Sequence, residues 1–372
     1  MNLELNKEQK LLRQAAKDFL KKECPRDLIR EWRYAEGDYP EKIWKKMAKL
    51  GWMGVTIPEA YEGMEGDFID LTILIEAMGE ACLPAPFFST VVVGGTALTI
   101  CDNEKLKAKV LPQIAAGKKT VTFALIEPGN GYGYSNIQTI ATKQGDGYVL
   151  EGTKLFVEYA RSVDYILTVA RSESDGLMLF LVDADSGGIE MTYQETLDYA
   201  KQCEVSLSGV QVPVGNLLAE GTAAEKLLSS LEEQAGVAKC AEMLGGMQAA
   251  FDMSVAYSKE RVQFERPIGS FQSIQHHCAN MAIEVGNCRN ITNLATWKIS
   301  QGLPATKEAS MAKSYANVAS NKVVKLGHQI HAAISFCDEH DMHLLLRKCH
   351  AAAVSFGDTT YHTEKVAVEL GL

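Results

Sequence analysis

The chain has 372 residues, 47% of them hydrophobic and 23% charged, a balance suited to sizeable buried cores in two or three globular domains. Its formal net charge of −10 excludes a general nucleic-acid binder, which uses surplus Lys and Arg to displace counterions. A local basic patch for a phosphate-bearing ligand remains open.

The opening stretch, "MNLELNKEQKLLRQAAKDFL", is charged and amphipathic and lacks the long apolar run of a signal peptide. Nowhere does an uncharged apolar run reach the length of about 18 residues that a membrane span requires. The nine cysteines are scattered, odd in number and free of any CxxC pair. They read as reduced thiols, and a cytoplasmic protein is expected.

From residue 5 to about 118, apolar residues recur at helical spacing, as in "LLRQAAKDFLKKE" and "EKIWKKMAKLGW", with breaks at "IPEAYEGMEGD" and "LPAPFF". The texture then changes. "TVTFALIE", "GYVLEGTKLFVEY", "YILTVARS", "GLMLFLVDA", "IEMTYQET" and "CEVSLSGVQVP" are short β-branched and aromatic runs bounded by Gly, Asp and Ser, the pattern of a small barrel or sandwich. From about residue 221 the helical period returns in long runs, which suits a helix bundle. The expected fold is therefore mostly α with a central β domain: a helical domain over 1–118, a β domain over 119–215 and a helical bundle over 216–372.

Metal chemistry is weakly signalled. His276 and His277 are adjacent, so on a helix they point about 100° apart. "CDEHDMH" sets His340 and His343 one turn apart among acids, and a solvated polar face accounts for it better than a bound ion. "GNGYGYSN" follows a strand without a Walker lysine or GxGxxG spacing; a loop approaching a ligand and a plain turn both stay open. "RVQFERPIGSFQSIQHHCANM" reads as a helix ending at Arg261, a loop broken by Pro267 and Gly269, and a new helix. Arg261 beside Phe264 and Gln272 could grip a pyrophosphate, since Arg is suited to bidentate anion contacts, or could be surface charge.

Beyond these patterns, the sequence resembles the acyl-CoA dehydrogenase family over nearly its whole length. The motifs are "GWMGVTIPEAYEG", "FALIEPGNGYGY" (similar to TEPxxGSD), "LEGTKLFVEYARSVDYILTVAR", "RVQFERPIGSFQSIQH" (close to RxQFGxPIxxFQxxQH), "MAKSYA" and "QIHAAISFCDEHDMHLLLRK". The last is similar to QxHGGIGFTWEHDxHLYLRR of a subgroup that includes hetero-oligomers. The resemblance implies an N-terminal helical domain, a β-barrel and a C-terminal four-helix bundle. It also implies FAD and the oxidation of an acyl-CoA thioester to its 2,3-enoyl form by removal of an α-proton and a β-hydride. Electron-transferring flavoprotein or a similar acceptor would take the electrons. A homodimer, homotetramer or assembly with a homologous subunit would be the working form.

By motif position, Arg261, Gln263, Phe264 and Gln272 would hold the nucleotide end of FAD, with Gln329 and Ala333 nearby. Phe123, Leu125, Ile126 and Phe156 would line the flavin, with Glu158 beside it. Tyr132 stands where a Ser usually touches the CoA arm. The catalytic carboxylate departs from the pattern. One family position falls on Phe356, before Gly357; the alternative falls on Ala235, with Gly236 where a substrate-contacting Arg often stands. The carboxylates left as candidate bases are Glu232, Asp358 and Glu242; for Asp358 a helix-capping role is the plainer expectation. The Gly-Gly of QxHGG is Ala332-Ala333, and two threonines near the flavin are Ile126 and Glu158. Three readings follow: a dehydrogenase with a relocated base, the base-deficient subunit of a hetero-oligomeric dehydrogenase, and a non-catalytic binding protein.

Overall fold

A computed structural model describes residues 3–35, 37–172, 174 and 176–372. The chain divides into two compact units: residues 31–67 with 84–235, and residues 1–30 with 68–83 and 236–372.

The first unit is built on one eight-stranded sheet. Its strands are β1 (Val121–Ala124), β2 (Ile140–Gln144), β3 (Gly147–Glu158), β4 (Tyr165–Ser172), β5 (Leu177–Asp183), β6 (Ile189–Gln194), β7 (Gln202–Pro213) and β8 (Leu217–Glu220). They run in the order β6-β7-β3-β2-β4-β5-β8, with β1 added in parallel to β4. β7 alternates buried and open residues, as a half-buried strand must, whereas β4 and β5 are buried at six consecutive positions each. Their continuous apolar runs contribute Ile166 and Phe180 to a core shared with Leu150, Val157, Val205 and Val210. The expected β domain is thus present, with two short strands, β2 and β8, that the sequence did not announce. Beside the sheet, Phe88–Gly95 forms a wholly buried π-helical stretch. Gly94 lets it approach β1, because a Cβ there would meet the Val121 side chain at 2.6 Å.

The second unit is helical: α1 (Lys7–Glu23), α4 (Phe68–Ala81), the part of α7 (Gly221–Glu260) from Gly236 onward, α8 (Gln272–Ser300), α9 (Thr306–His331), α10 (Met342–Val354) and α11 (Thr359–Glu369). The shorter α2 (Arg26–Trp32), α3 (Glu41–Lys49), α5 (Thr96–Ile100) and α6 (Glu104–Ala115) complete the helices. α1 starts on a capping box in which Asn6 and Gln9 exchange side-chain-to-backbone hydrogen bonds. α7 has 40 residues, a span of about 60 Å at 1.5 Å per residue. Small residues set α4 tightly on α7: a Cβ on Gly79 would run into the Glu242 carbonyl, and one on Gly245 into the Glu76 carbonyl. α9 packs against α8, α10 and α11.

Candidate active site

In the sheet unit, Phe123 lies on β1, and Leu125 and Ile126 follow directly, all half-buried. The Leu155 amide donates to the Ile126 carbonyl (2.8 Å), which ties this extension to β3. β3 pairs with β7 in shifted register between Lys154 and Val157, and Phe156 there has φ +56°. A bulge of this kind re-aims a side chain, and Phe156 is 51% exposed. Its amide donates to the Gln194 side chain (3.3 Å). Glu158, two residues on, is half-buried, with its carbonyl accepting from Thr122 Oγ1.

A buried ion pair holds this region together. Lys154 Nζ lies 2.6 Å from Glu127, with side chains 0% and 1% exposed. Burial pushes the Lys154 ammonium down to about 8, while Glu127 pulls the other way. Burial also works against the Glu127 charge, yet Lys154 and hydrogen-bond donors outweigh it and keep the carboxyl below its usual range. Those donors are the Thr139 hydroxyl and the Gln138 amide; the Thr139 amide (3.0 Å) and Asn130 Nδ2 (3.1 Å) also donate to Glu127, which thereby pins the loop that carries Tyr132. Neither ionic residue was singled out from the sequence. Their signal was a Glu closing one strand motif and a Lys inside another, at positions otherwise apolar.

In the helical unit, α7 ends at Glu260 and the Arg261 amide donates to the Tyr257 carbonyl (2.8 Å). The chain then makes a two-residue hairpin between β9 (Val262–Gln263) and β10 (Arg266–Pro267). Phe264 and Glu265 form its turn with φ of +51° and +64°, the type I′ signature that favours Gly or Asn. The loop expected here is therefore a tight hairpin. It presents Phe264, 86% exposed, against the edge of Phe271 at 6.0 Å. Arg261, Gln263 and Gln272 are exposed as well. Gln329 lines a groove of about 760 Å³ together with Asn321, Lys322 and Lys325. Ala332 caps α9 at φ +55°, ψ −143°, outside the left-handed region open to L-residues. Ala332 and Ala333 are both exposed.

At the position where the resemblance would place a carboxylate, Phe356 has φ +55° and Gly357 φ +103°. Two buried groups clamp this turn. His362 Nε2 donates to the Phe356 carbonyl (2.8 Å), and Lys313 Nζ donates to the Gly357 carbonyl (2.9 Å). Lys313 also reaches Asn317 Oδ1 (2.7 Å) and the carbonyls of Ala352 and Ala353 (both 3.2 Å). Burial pushes its ammonium down to about 8.

The three candidate bases meet different fates. Asp358 is the N-cap of α11, accepting from the Tyr361 amide (2.9 Å). Glu242 is buried and bridged to Lys239 (2.7 Å) and Lys348 (3.2 Å). Burial opposes its charge, but the two lysines prevail and hold its carboxyl at about 2. A carboxylate so stabilised is a poor proton acceptor at neutral pH. Glu232 stands half-buried on α7, one turn before the buried Ala235. Burial raises the Tyr134 hydroxyl, and the Glu232 charge raises it further, so Glu232 lies near the loop of Tyr132. His343 Nε2 bonds the Asp338 carbonyl (3.1 Å), and His340 Nδ1 accepts from the Met342 amide (3.1 Å). Among the described residues no group of three metal-ligating side chains forms, and none of their helices is long and apolar enough to cross a membrane.

Residues 6–118, 122–210 and 228–371 match the N-terminal, middle and C-terminal domains of acyl-CoA dehydrogenase. The probable acyl-CoA dehydrogenase YngJ of Bacillus subtilis is 33% identical across 99% of this chain and 98% of its own. The caffeyl-CoA reductase–Etf complex subunit CarC of Acetobacterium woodii is 30% identical across 95% of each. The butyryl-CoA dehydrogenase structure from Megasphaera elsdenii superposes with a TM-score of 0.93 at 25% identity, covering 100% of both chains.

The chain belongs to the acyl-CoA dehydrogenase family of flavoprotein oxidoreductases. FAD is the cofactor of that family. The exposed donor set fits it: a guanidinium suits a diphosphate, and carboxamides that both donate and accept suit an adenine edge.

Proposed function

We propose that this chain binds an acyl-CoA and removes its α-proton with Glu232, in an acyl-CoA dehydrogenase whose base has left both family positions. The observation that carries this reading is the position of Glu232, one helical turn from Ala235 and within electrostatic reach of Tyr134. Arg261, Gln263, Phe264, Gln272, Gln329 and the backbone at Ala333 would hold the nucleotide end of FAD. Phe123, Leu125, Ile126 and Phe156 would face its ring, with Glu158 beside it. When bound, FAD supplies the acceptor for the β-hydride. The chain's own part is to place Tyr132 at the CoA arm and to accept the proton at Glu232 Oε, one turn from Ala235. An electron-transferring flavoprotein would then reoxidise the enzyme, in the cytoplasm.

A second reading, a base-deficient subunit paired with a homologous chain, is favoured by the 86% exposure of Phe264 in the hairpin that would reach a neighbour's FAD. Exchange of the α-protons of butanoyl-CoA in D2O, with FAD content per protomer, tests both. Exchange by the lone wild-type chain that falls at least about a hundredfold in Glu232→Gln supports Glu232, as loss of a general base should. Undiminished exchange in that variant rejects it. Exchange that arises only on adding a homologous subunit supports the second reading instead.

A further inference from the structure

A threonine inside a helix can spend its hydroxyl on a carbonyl three or four residues back. Thr72 on α4 does so, donating to the Ile69 carbonyl at 2.9 Å. Thr296, near the end of α8, does not. It is 3% exposed, and its Oγ1 is buried without a hydrogen-bond partner among the described residues. A hydroxyl left in that state costs free energy, so what completes it is a question the structure should answer.

Both threonines line one cavity of about 80 Å³, which lies wholly within the helical unit, between α1, α4, α7 and α8. That is the room of about three waters at their share of liquid volume, or of a molecule with about four or five non-hydrogen atoms. Ile69, Ile73 and Leu244 give the cavity an apolar side. Its polar side is rich in donors. The Asn293 carboxamide has no hydrogen bond among the described residues, and Arg13, on the open side, has neither a hydrogen bond nor an ion pair there. Two carboxylates share the wall, but neither answers Arg13. Glu76 is held by Arg289 at 2.8 Å, and Glu4 is engaged as well. Arg289 spends a second nitrogen on Gln248 Oε1 (3.1 Å).

We propose that this cavity binds a short carboxylate of about two or three carbons. Its oxygens accept from the Arg13 guanidinium, Asn293 Nδ2 and Thr296 Oγ1, and its carbon end rests against Ile69, Ile73 and Leu244. A planar guanidinium matches a carboxylate, and the charge strengthens each hydrogen bond. An unpaired cation beside uncommitted donors selects an anion over a neutral amide, and the cavity's size excludes longer acids. The site uses none of the residues assigned to FAD or to the acyl-CoA.

Equilibrium dialysis of radiolabelled acetate and acetamide against the full FAD-loaded protein tests this, with Tm measured alongside. Acetate should bind wild type with a Kd of about 1 mM, short of the ceiling for a ligand of about four non-hydrogen atoms. Arg13→Gln should weaken it at least about tenfold, and Thr296→Val about threefold or more. Acetamide, which lacks the charge, should bind wild type at least about tenfold more weakly than acetate. Without acetate, Thr296→Val should keep or raise Tm, because valine preserves the shape and removes an unpaired hydroxyl. The proposal is overturned by a wild type that takes up no acetate at about ten times the expected Kd. It is overturned equally by acetate binding that both variants leave unchanged, or by acetamide binding as tightly as acetate. A fall in Tm for Thr296→Val would show that the hydroxyl already has a partner, and would overturn it too.

Discussion

Ala332 offers the sharpest test of the backbone. At φ +55°, ψ −143° it occupies ground close to the first central position of a type II′ turn, where glycine dominates because a Cβ crowds the neighbouring peptide. Such a non-glycine residue stores about 1–3 kcal/mol of strain. Ala332 is exposed, so Ala332→Gly loses little packing, and the opposing cost is the extra freedom of an unfolded glycine, about 0.4–1 kcal/mol. The net expectation is a gain of about 1 kcal/mol, or about 2–4 °C in Tm. Ala333, one residue on, has no positive φ, so Ala333→Gly should lose about 0.5–1 kcal/mol. Thermal unfolding of both variants at one fixed excess of FAD is the assay, since ligand binding itself shifts Tm. Opposite signs are required. If Ala332→Gly lowers Tm as Ala333→Gly does, the strain assigned to this turn is wrong.

Three further outcomes follow from the buried ionic groups. Glu242→Gln leaves Lys239 and Lys348 without their counter-charge and should cost about 3 kcal/mol in urea unfolding at pH 7. Because the Glu242 carboxyl is held at about 2, below its ordinary 4.5, its contribution is complete above about 4.5 and lost as pH falls toward 2; the Gln variant should lack that part of the acid slope. Lys154→Met strands the buried Glu127 charge and should cost about 3 kcal/mol, with faster amide exchange through residues 128–138; Glu127→Gln in the same chain should recover part of the loss. Lys313→Met removes one donor shared by four acceptors and should cost about 2 kcal/mol, seen together with faster exchange at Gly357–Tyr361. Unchanged exchange there would mean that His362 alone holds the Phe356 turn.

The helices and six of the eight sheet strands were legible because each lies in a run with its own period, and the motif order carried the family. What escaped had no local period. β2 and β8 span five and four residues and exist through partners elsewhere in the sheet. The π-helical stretch at Phe88–Gly95 is buried on every side, so it shows no polar face to reveal a pitch. The fate of Glu242 was half visible: Lys239 stands three residues before it on the same helix face, but Lys348 comes from α10. Asp358, a candidate base for which capping is the plainer expectation, does cap α11, and that signal, an acid directly before a helix, is local.

The two positions at which the resemblance would place the base, Ala235 and Phe356, differ in kind. Ala235 lies within a continuous helix, where one side chain replaces another without changing the backbone. Phe356 sits on a left-handed turn whose carbonyls are fixed by His362 and Lys313. That geometry is costly for an aromatic residue and is sustained by two buried cations or cation-capable groups whose placement also costs energy. Strain of this sort persists only where the surroundings over-determine it, and here the His362 and Lys313 hydrogen bonds both act on backbone carbonyls. Those two bonds do not depend on which side chain the turn presents at residue 356.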